Sequence, residues 1–420
     1  MIIASRHFNT FFSKSISSFS IWSTLKSRPK DPILGLVEDF KKDKAKLKVN
    51  LSVGAYRDDN GKPYVLNCVK EARKMYLSSN PIHEYLPIVG LQSFVNNSLQ
   101  FAYSKECPSL IKGNICALQT LSGTGSLRLA MELLNKYYEG NKCVYLPNPT
   151  WPNHKSICAN VGIQQKEYSY YDNEKKNINF NGLIEDIEKA PKKSIFLFHA
   201  CAHNPTGMDL TKEQWKDILE VIQQKKHFVL FDMAYQGFAS GDSVNDSYAV
   251  RLFANKGINI GLCQSYAKNL GLYGERVGCL SFICDNQKEK KAMESQLKVL
   301  ARSSYSNPPK FGAMIVDTVF NNDTLKREWF RELKLMSDRI KTMRVALVEG
   351  LKDNGSTLDW SHITRQIGMF AYTGLSKNQV KLLKERYHIY MTNSGRISLS
   401  GLNEKNVNYV AKCFHEVSKL

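Results

Sequence analysis

The stretches Ser194-Ile-Phe-Leu-Phe-His199 and Phe228-Val-Leu-Phe231, with the helix-patterned segment 212–225 between them, decide the fold. Each apolar run is short and bounded by polar or turn residues, as expected of a strand buried on both faces. Strand, helix and strand in succession make a β-α-β unit, which predicts a parallel sheet covered by helices. Ligands in such sheets sit beyond the carboxyl ends of the strands. The residues that follow each strand are therefore the candidates for function.

Downstream, the apolar run 258–263 leads into Gln264-Ser-Tyr-Ala-Lys268-Asn-Leu-Gly-Leu-Tyr-Gly-Glu-Arg276-Val-Gly278. A lysine, a serine and an arginine in one glycine-punctuated segment suit an aldehyde cofactor and its phosphate: the lysine makes the imine, the serine and arginine hold the anion. A single loop lysine is more often simply solvated. Ser-x-x-Lys also occurs in serine acyl-transfer enzymes, but their Ser-Asp-Asn and Lys-Thr-Gly companions are missing. Upstream, the strand 117–121, the turn Ser122-Gly123-Thr124-Gly125 and the helix 126–138 form a phosphate cradle, because free N–H groups and the macrodipole meet at the helix start. A dinucleotide fingerprint is disfavoured, since Arg128 stands where its third glycine belongs.

The strand 143–146 exits through Pro147-Asn-Pro-Thr-Trp151-Pro-Asn-His154, where a flat ring can either stack on a cofactor or fill the core. His199-Ala-Cys-Ala-His203-Asn204-Pro-Thr-Gly207 follows the 194–199 strand, and Asp232-Met-Ala-Tyr235 follows the 228–231 strand. With Lys268, three polar clusters converge on one edge. His199, Cys201 and His203 lack a second ligand cluster, so they are read as hydrogen-bonded supports and no metal is expected.

Toward the ends of the chain, 31–40 is an arm running into a short helix, 48–53 a strand, and Asn60-Gly61 a turn. Segments 70–77 and 92–104 read as helices around the irregular His83-Glu-Tyr85-Leu-Pro. A strand over 277–284 continues the sheet, a helix covers 294–302, and a long helix over 323–350 bridges two domains. Strands at 370–374, 389–392 and 396–400 with two helices make a smaller α/β domain.

The 420 residues are 43% hydrophobic and 23% charged, ordinary globular composition. The formal charge of +19 is carried by scattered lysines whose short clusters include acids, which reads as solvated helix faces and not as a nucleic-acid footprint. Ten cysteines without a Cys-x-x-Cys pair indicate a reduced compartment. Residues 1–30 hold five basic residues, eight serines and no acid, with Phe8, Phe11, Phe12 and Phe19 at near-helical spacing. That composition fits a mitochondrial presequence. No stretch is apolar for the roughly 18 residues of a spanning helix, so the mature protein is expected to be soluble, without a transmembrane segment.

Gly54-Ala-Tyr, His83-Glu-Tyr-Leu-Pro, Ser122-Gly-Thr-Gly, Asn204-Pro-Thr-Gly, Asp232-Met-Ala-Tyr, Ser265-Tyr-Ala-Lys-Asn, Tyr305-Ser-Asn-Pro-Pro and Gly395-Arg-Ile, in this order, closely resemble the aspartate aminotransferases, class I pyridoxal-phosphate enzymes. Asp31-Pro-Ile-Leu-Gly, Asp58-Asp-Asn-Gly-Lys-Pro-Tyr-Val-Leu66 and Tyr273-Gly-Glu-Arg-Val-Gly are similar to the mitochondrial form. The resemblance implies fold type I of the pyridoxal-phosphate transferases: an α/β large domain with a mostly parallel seven-stranded sheet, plus a smaller α/β domain. The expected division is a presequence at 1–30, an arm and first part of the small domain at 31–63, a large domain at 64–335 and a small domain at 336–420.

It further implies pyridoxal 5′-phosphate as cofactor and Lys268 as its Schiff-base lysine and proton shuttle. Asp232 would keep the pyridine nitrogen protonated. Asn204 and Tyr235 would bond the phenolic oxygen, and Trp151 would stack on the ring. Ser122, Gly123, Thr124, Ser265 and Arg276 would hold the phosphate, joined by Tyr85 of a second subunit. Arg396 would bind the substrate α-carboxylate beside Gly54, Trp151 and Asn204. Arg302 of the partner would take the side-chain carboxylate, with Asn307 also a partner-side contact. A mitochondrial-matrix homodimer with shared sites, acting on aspartate, glutamate and their 2-oxo acids, follows. Pro152, Ser52 and Arg365 depart from the family pattern.

Overall fold

The computed structural model describes residues 21–27 and 29–420. The amphipathic segment expected around Phe8, Phe11, Phe12 and Phe19 lies outside them. Seven strands form one sheet: β1 (Ile115–Leu121), β2 (Cys143–Asn148), β3 (Gln164–Ser169), β4 (Ile195–His199), β5 (Phe228–Met233), β6 (Ile260–Ser265) and β7 (Val277–Ile283). Their spatial order is β1-β7-β6-β5-β4-β2-β3. Only β7 runs antiparallel to its neighbours β1 and β6; the other pairings are parallel. The expected mostly parallel seven-stranded sheet is therefore what forms. Its carboxyl edge gathers Ser122, Asn204, Asp232 and Lys268, and the antiparallel β7 starts at the same edge just after Arg276.

The helix Lys212–Lys225 has the expected bounds, and its start is fixed by a capping box between Thr211 and Gln214. Trp215, Ile218, Leu219 and Ile222 repeat at helical spacing and are the face it buries. Two helices start four or more residues earlier than expected. The helix expected over 126–138 spans Ser122–Tyr137, so Ser-Gly-Thr-Gly is its first turn and not a turn ahead of it. The one expected over 294–302 spans Gln287–Tyr305, because the Asn286 side chain accepts from the Glu289 N–H and starts it earlier.

Val49–Asn50 pairs in parallel with Ile389–Tyr390, and Phe370–Tyr372 pairs antiparallel with Arg396–Ser398. The helix Asp323–Asp353 is 31 residues long. Its Glu332 substitutes for a missing cap: the carboxylate accepts from the Asn67 and Cys68 N–H groups at 2.8 and 3.1 Å and from Tyr64 Oη at 2.8 Å. Leu66, at the cap position itself, has no side-chain acceptor. All ten cysteines are buried and free.

Arg344 on the same helix is a fully buried cation that donates only to carbonyls. Nη1 reaches Ile363 O at 3.0 Å, and Nη2 reaches Gly368 O and Phe370 O at 2.7 Å each. Burial pulls its pKa down to about 9. Arg344→Met strands three buried acceptors, so unfolding free energy measured by denaturant titration is expected to fall by about 2–4 kcal/mol.

Candidate active site

Lys268 follows β6 and is half-buried, with its Nζ donating to Gly54 O and lying 4.9 Å from the Tyr273 ring centroid. Burial, with Arg396 and Arg276 adding positive charge, pulls its pKa down to about 8. A neutral amine is therefore accessible near physiological pH, which a nucleophile or proton carrier needs. Tyr273 is held in turn by accepting the Tyr56 N–H at 2.7 Å.

Arg396 begins the strand Arg396–Ser398 and is buried. Nη1 donates to Asn204 Oδ1 at 3.1 Å and Nη2 to Ser52 O at 2.7 Å, while Nε has no partner among the described residues. The guanidinium lies 4.1 Å from the Phe370 ring centroid. A desolvated guanidinium with unused donor capacity and no carboxylate of its own suits a bound carboxylate. Ser52 acts through its backbone carbonyl. Its hydroxyl is spent on Asn50 Oδ1 at 2.7 Å, which gives this departure a local role. Gly54 sits against Phe370: a Cβ there would come 2.8 Å from Phe370 Cζ.

Asp232 lies inside β5, and His154 Nε2 meets its Oδ2 at 3.0 Å. A carboxylate only accepts, so His154 carries its proton on Nε2, and Nδ1 accepts from Thr150 Oγ1 at 2.8 Å. His199 Nδ1 accepts from the Asn204 N–H at 3.0 Å. Burial holds His199 neutral, with its pKa pulled down to about 3. The expected role of His199 and His203 as fully hydrogen-bonded supports needs correcting. Each uses Nδ1, His203 toward Thr206 Oγ1, and each leaves Nε2 without a partner among the described residues. The reason is packing: His203 stacks on Tyr170 at 3.9 Å and lies 4.3 Å from His199. The ligand-type atoms that lie close together belong to His154, His199 and Asp232, not to Cys201 and His203.

Tyr235, buried behind Asp232, has its phenol pKa pushed up by burial against the opposing pull of Arg396. Trp151 stands edge-on to His154 at 5.3 Å. Pro152 takes the first position of the helix Pro152–Val161, where the missing N–H costs nothing.

At the other end of the cluster, Ser122 Oγ and Ser265 Oγ are 2.9 Å apart. Ser122 takes φ +62 as β1 turns directly into its helix. A Cβ on Gly123 would reach 3.2 Å from Ser265 Cβ, and one on Gly278 would come within 2.6 Å of Gln264 O and Ser122 C. Thr124 follows half-buried in the same turn, and Arg276 sits opposite at φ +54 with its pKa lowered by partial burial. Helix-start N–H groups and two hydroxyls meet here, a donor set that a phosphate could use. Gly278→Ala pushes a methyl into backbone on both sides. The expected result is at least a tenfold weaker hold on pyridoxal phosphate, checked by cofactor titration, together with a loss of roughly 1–3 kcal/mol in stability.

Tyr85 and Arg302 are not part of the cluster. Tyr85 is 81% exposed, and Arg302 is exposed in the last turn of Gln287–Tyr305, bonded to Ser306 Oγ. They share a ledge, since Asn307 Nδ2 donates to Leu86 O at 2.7 Å and Lys310 Nζ to Ile82 O at 3.1 Å. Arg365 is exposed and donates to Ser361 Oγ at 2.7 Å. His154 and Tyr273 were quoted in the motifs without a role. An imidazole three residues after a strand-exit tryptophan was the available signal for the first, and a tyrosine five residues after Lys268 for the second.

The aminotransferase class I and II family model matches residues 46–414. A mitochondrial aspartate aminotransferase of Dictyostelium discoideum is 50% identical over 413 residues, 97% of either chain. Among solved structures, the cytoplasmic aspartate aminotransferase of Saccharomyces cerevisiae superposes with a TM-score of 0.92 at 42% identity, covering 95% of this chain and 98% of its own. An aromatic-amino-acid aminotransferase of Burkholderia pseudomallei, covalently bound to pyridoxal phosphate, gives 0.91 at 38% identity, covering 95% and 99%. With that match across most of its length, on a sheet whose carboxyl edge carries Lys268, Asp232 and Arg396, this chain belongs to the class I and II aminotransferases.

Proposed function

We propose that this protein transfers the amino group of L-aspartate to 2-oxoglutarate, reversibly, giving oxaloacetate and L-glutamate, in the mitochondrial matrix. The observation that carries this reading is the buried Arg396, held by Asn204 and Ser52 O, within electrostatic reach of a Lys268 whose amine is easily deprotonated. The residues present fit pyridoxal 5′-phosphate. The glycine-lined cradle of Ser122, Gly123, Thr124, Ser265 and Arg276 would hold its phosphate, Trp151 would cover its ring, and Asn204 and Tyr235 would bond its phenolic oxygen. When bound, the cofactor supplies an electron sink and carries the amino group between the two half-reactions.

The chain's own residues do the rest. Lys268 Nζ, neutral above about pH 8, takes the proton from the substrate Cα and returns it. Asp232, fixed by the protonated Nε2 of His154, keeps a proton on the cofactor's ring nitrogen. Arg396 binds the α-carboxylate, and Phe370 beneath it keeps that contact out of water.

The second carboxylate needs a second guanidinium, and Arg302 faces outward from its own chain. A homodimer in which Arg302 and Tyr85 of each subunit complete the other's site resolves this. Aromatic amino acids, the substrates in the name of the Burkholderia relative, are the second reading, and a fold kept for binding alone is the third.

The test follows the visible-edge absorption band of the purified protein with its cofactor. Loss of the band on L-aspartate alone and its return on 2-oxoglutarate are expected. A band that L-phenylalanine discharges and L-aspartate does not would replace aspartate with aromatic substrates. A protein that takes up no cofactor would leave only the binding reading.

A further inference from the structure

Three contacts fix the Arg396 guanidinium. Asn204 Oδ1 accepts from Nη1 at 3.1 Å and Ser52 O from Nη2 at 2.7 Å, while the Phe370 ring covers one face at 4.1 Å. The two hydrogen bonds set the rotation of the fork within its plane, and the ring sets the plane. The N–H groups left over can meet a carboxylate with two parallel bonds only while that rotation is held.

Two of these anchors are held by the rest of the fold. Asn204 is pinned through its own N–H, which donates to His199 Nδ1 at 3.0 Å. Phe370 is paired with Ser398 in the strand pair that carries Arg396, and its carbonyl accepts from Arg344 Nη2 at 2.7 Å. Ser52 has no such support from strand pairing. Val49–Asn50 pairs with Ile389–Tyr390, the Leu51 N–H still donates to Tyr390 O at 2.8 Å, and Leu51 O accepts from the Ser398 N–H at 2.7 Å. There the pairing stops. From Ser52 to Ala55, the Ser52 N–H alone has a partner among the described residues, and that partner is a side chain, Asn50 Oδ1 at 3.0 Å. The Ser52 hydroxyl donates to the same oxygen at 2.7 Å. Asn50 therefore closes a turn over the residue that follows it, as asparagine does where regular pairing ends. The turn buries Ser52 fully and leaves its carbonyl on Arg396. The family pattern leads to an expectation of glycine at this position. A glycine has no hydroxyl to give Asn50, and its backbone is freer to leave the turn.

We propose that Asn50 and Ser52 are positioning residues for the substrate α-carboxylate: their side-chain turn aims the Ser52 carbonyl, and that carbonyl fixes the rotation of Arg396. The assignment rests on the reading of Arg396 as the α-carboxylate site. It also says which substrates are affected. Every amino acid brings an α-carboxylate, so loosening the turn weakens aspartate and phenylalanine alike, whereas removing Arg302 weakens the dicarboxylates.

The test is the half-reaction of the full-length protein loaded with cofactor, followed by loss of its visible-edge band at increasing L-aspartate or L-phenylalanine with no oxo acid present. The concentration giving half the limiting rate reports binding. The amplitude reports the folded, loaded protein, so a folding defect changes the amplitude and leaves the half-saturating concentration alone. Ser52→Gly is expected to raise that concentration about three- to tenfold for both amino acids, the scale of one neutral hydrogen bond, with a smaller fall in limiting rate. Asn50→Ala should give the same shift, and the double variant no more than either single change, because both act through one turn. Ser52→Ala, which loses the hydroxyl bond without adding backbone freedom, should fall between wild type and Ser52→Gly. An unchanged half-saturating concentration in Ser52→Gly, a shift for aspartate alone, or multiplied effects in the double variant would each overturn the proposal. Arg396→Ala, run alongside, separates it from the reading it rests on. A rise of roughly a hundredfold or more supports that reading, and a wild-type value would remove the reading and the proposal together.

Discussion

Lys268→Ala is expected to lower turnover by about three to four decades, the scale of a lost proton-transferring group, while the phosphate cradle still retains the cofactor. The reason is electrostatic. In the folded protein, burial and the charges of Arg396 and Arg276 bring the Lys268 amine to about 8, so the fraction able to accept a proton rises steeply through neutral pH. Wild-type turnover should climb with a pKa near 8, and the residual activity of Lys268→Ala should lose that limb.

The same shift has a stability consequence. The unfolded chain keeps this lysine at its ordinary value of 10.5, above the folded value of about 8. Between these values the unfolded state binds more protons, so stability of the cofactor-free protein rises with pH across that window. Lys268→Ala should remove the rise and stabilise the protein at pH 7. Denaturant midpoints at pH 7 and 10 read both effects. A variant that keeps a pKa near 8 in its rate profile would move the proton-carrying role to another group.

What could be read from sequence follows from where information is local. A strand followed by a polar cluster is a contiguous signal, so the carboxyl edge and its occupants Ser122, Asn204, Asp232 and Lys268 were legible, as was the helix Lys212–Lys225 with its capping box. Contacts between distant segments were not. Ser52 looked like a departure, yet its carbonyl holds Arg396, 344 residues away. Glu332 caps a helix 265 residues earlier. The helix after β1 starts four residues earlier than its sequence suggests because Ser122 bends to positive φ and the helix begins at once.

Arg302→Ala should cost turnover of aspartate roughly two to three decades, the effect of removing about 2–5 kcal/mol of charge-assisted contact, with aromatic substrates far less affected. The stronger result comes from mixing. Arg302 is exposed at the end of its helix and Tyr85 projects from the loop tied to Asn307, so neither joins the Lys268 cluster of its own chain. Lys268→Ala and Arg302→Ala homodimers should each be nearly inactive on aspartate. After subunit exchange, a hybrid has one site with an intact Lys268 and an intact Arg302 from across the interface, and one site with neither. Half of the dimers are then hybrids with one working site, so about one quarter of wild-type activity should return. If Arg302 served the site of its own chain, every site in the hybrid would lack one residue and mixing would restore nothing.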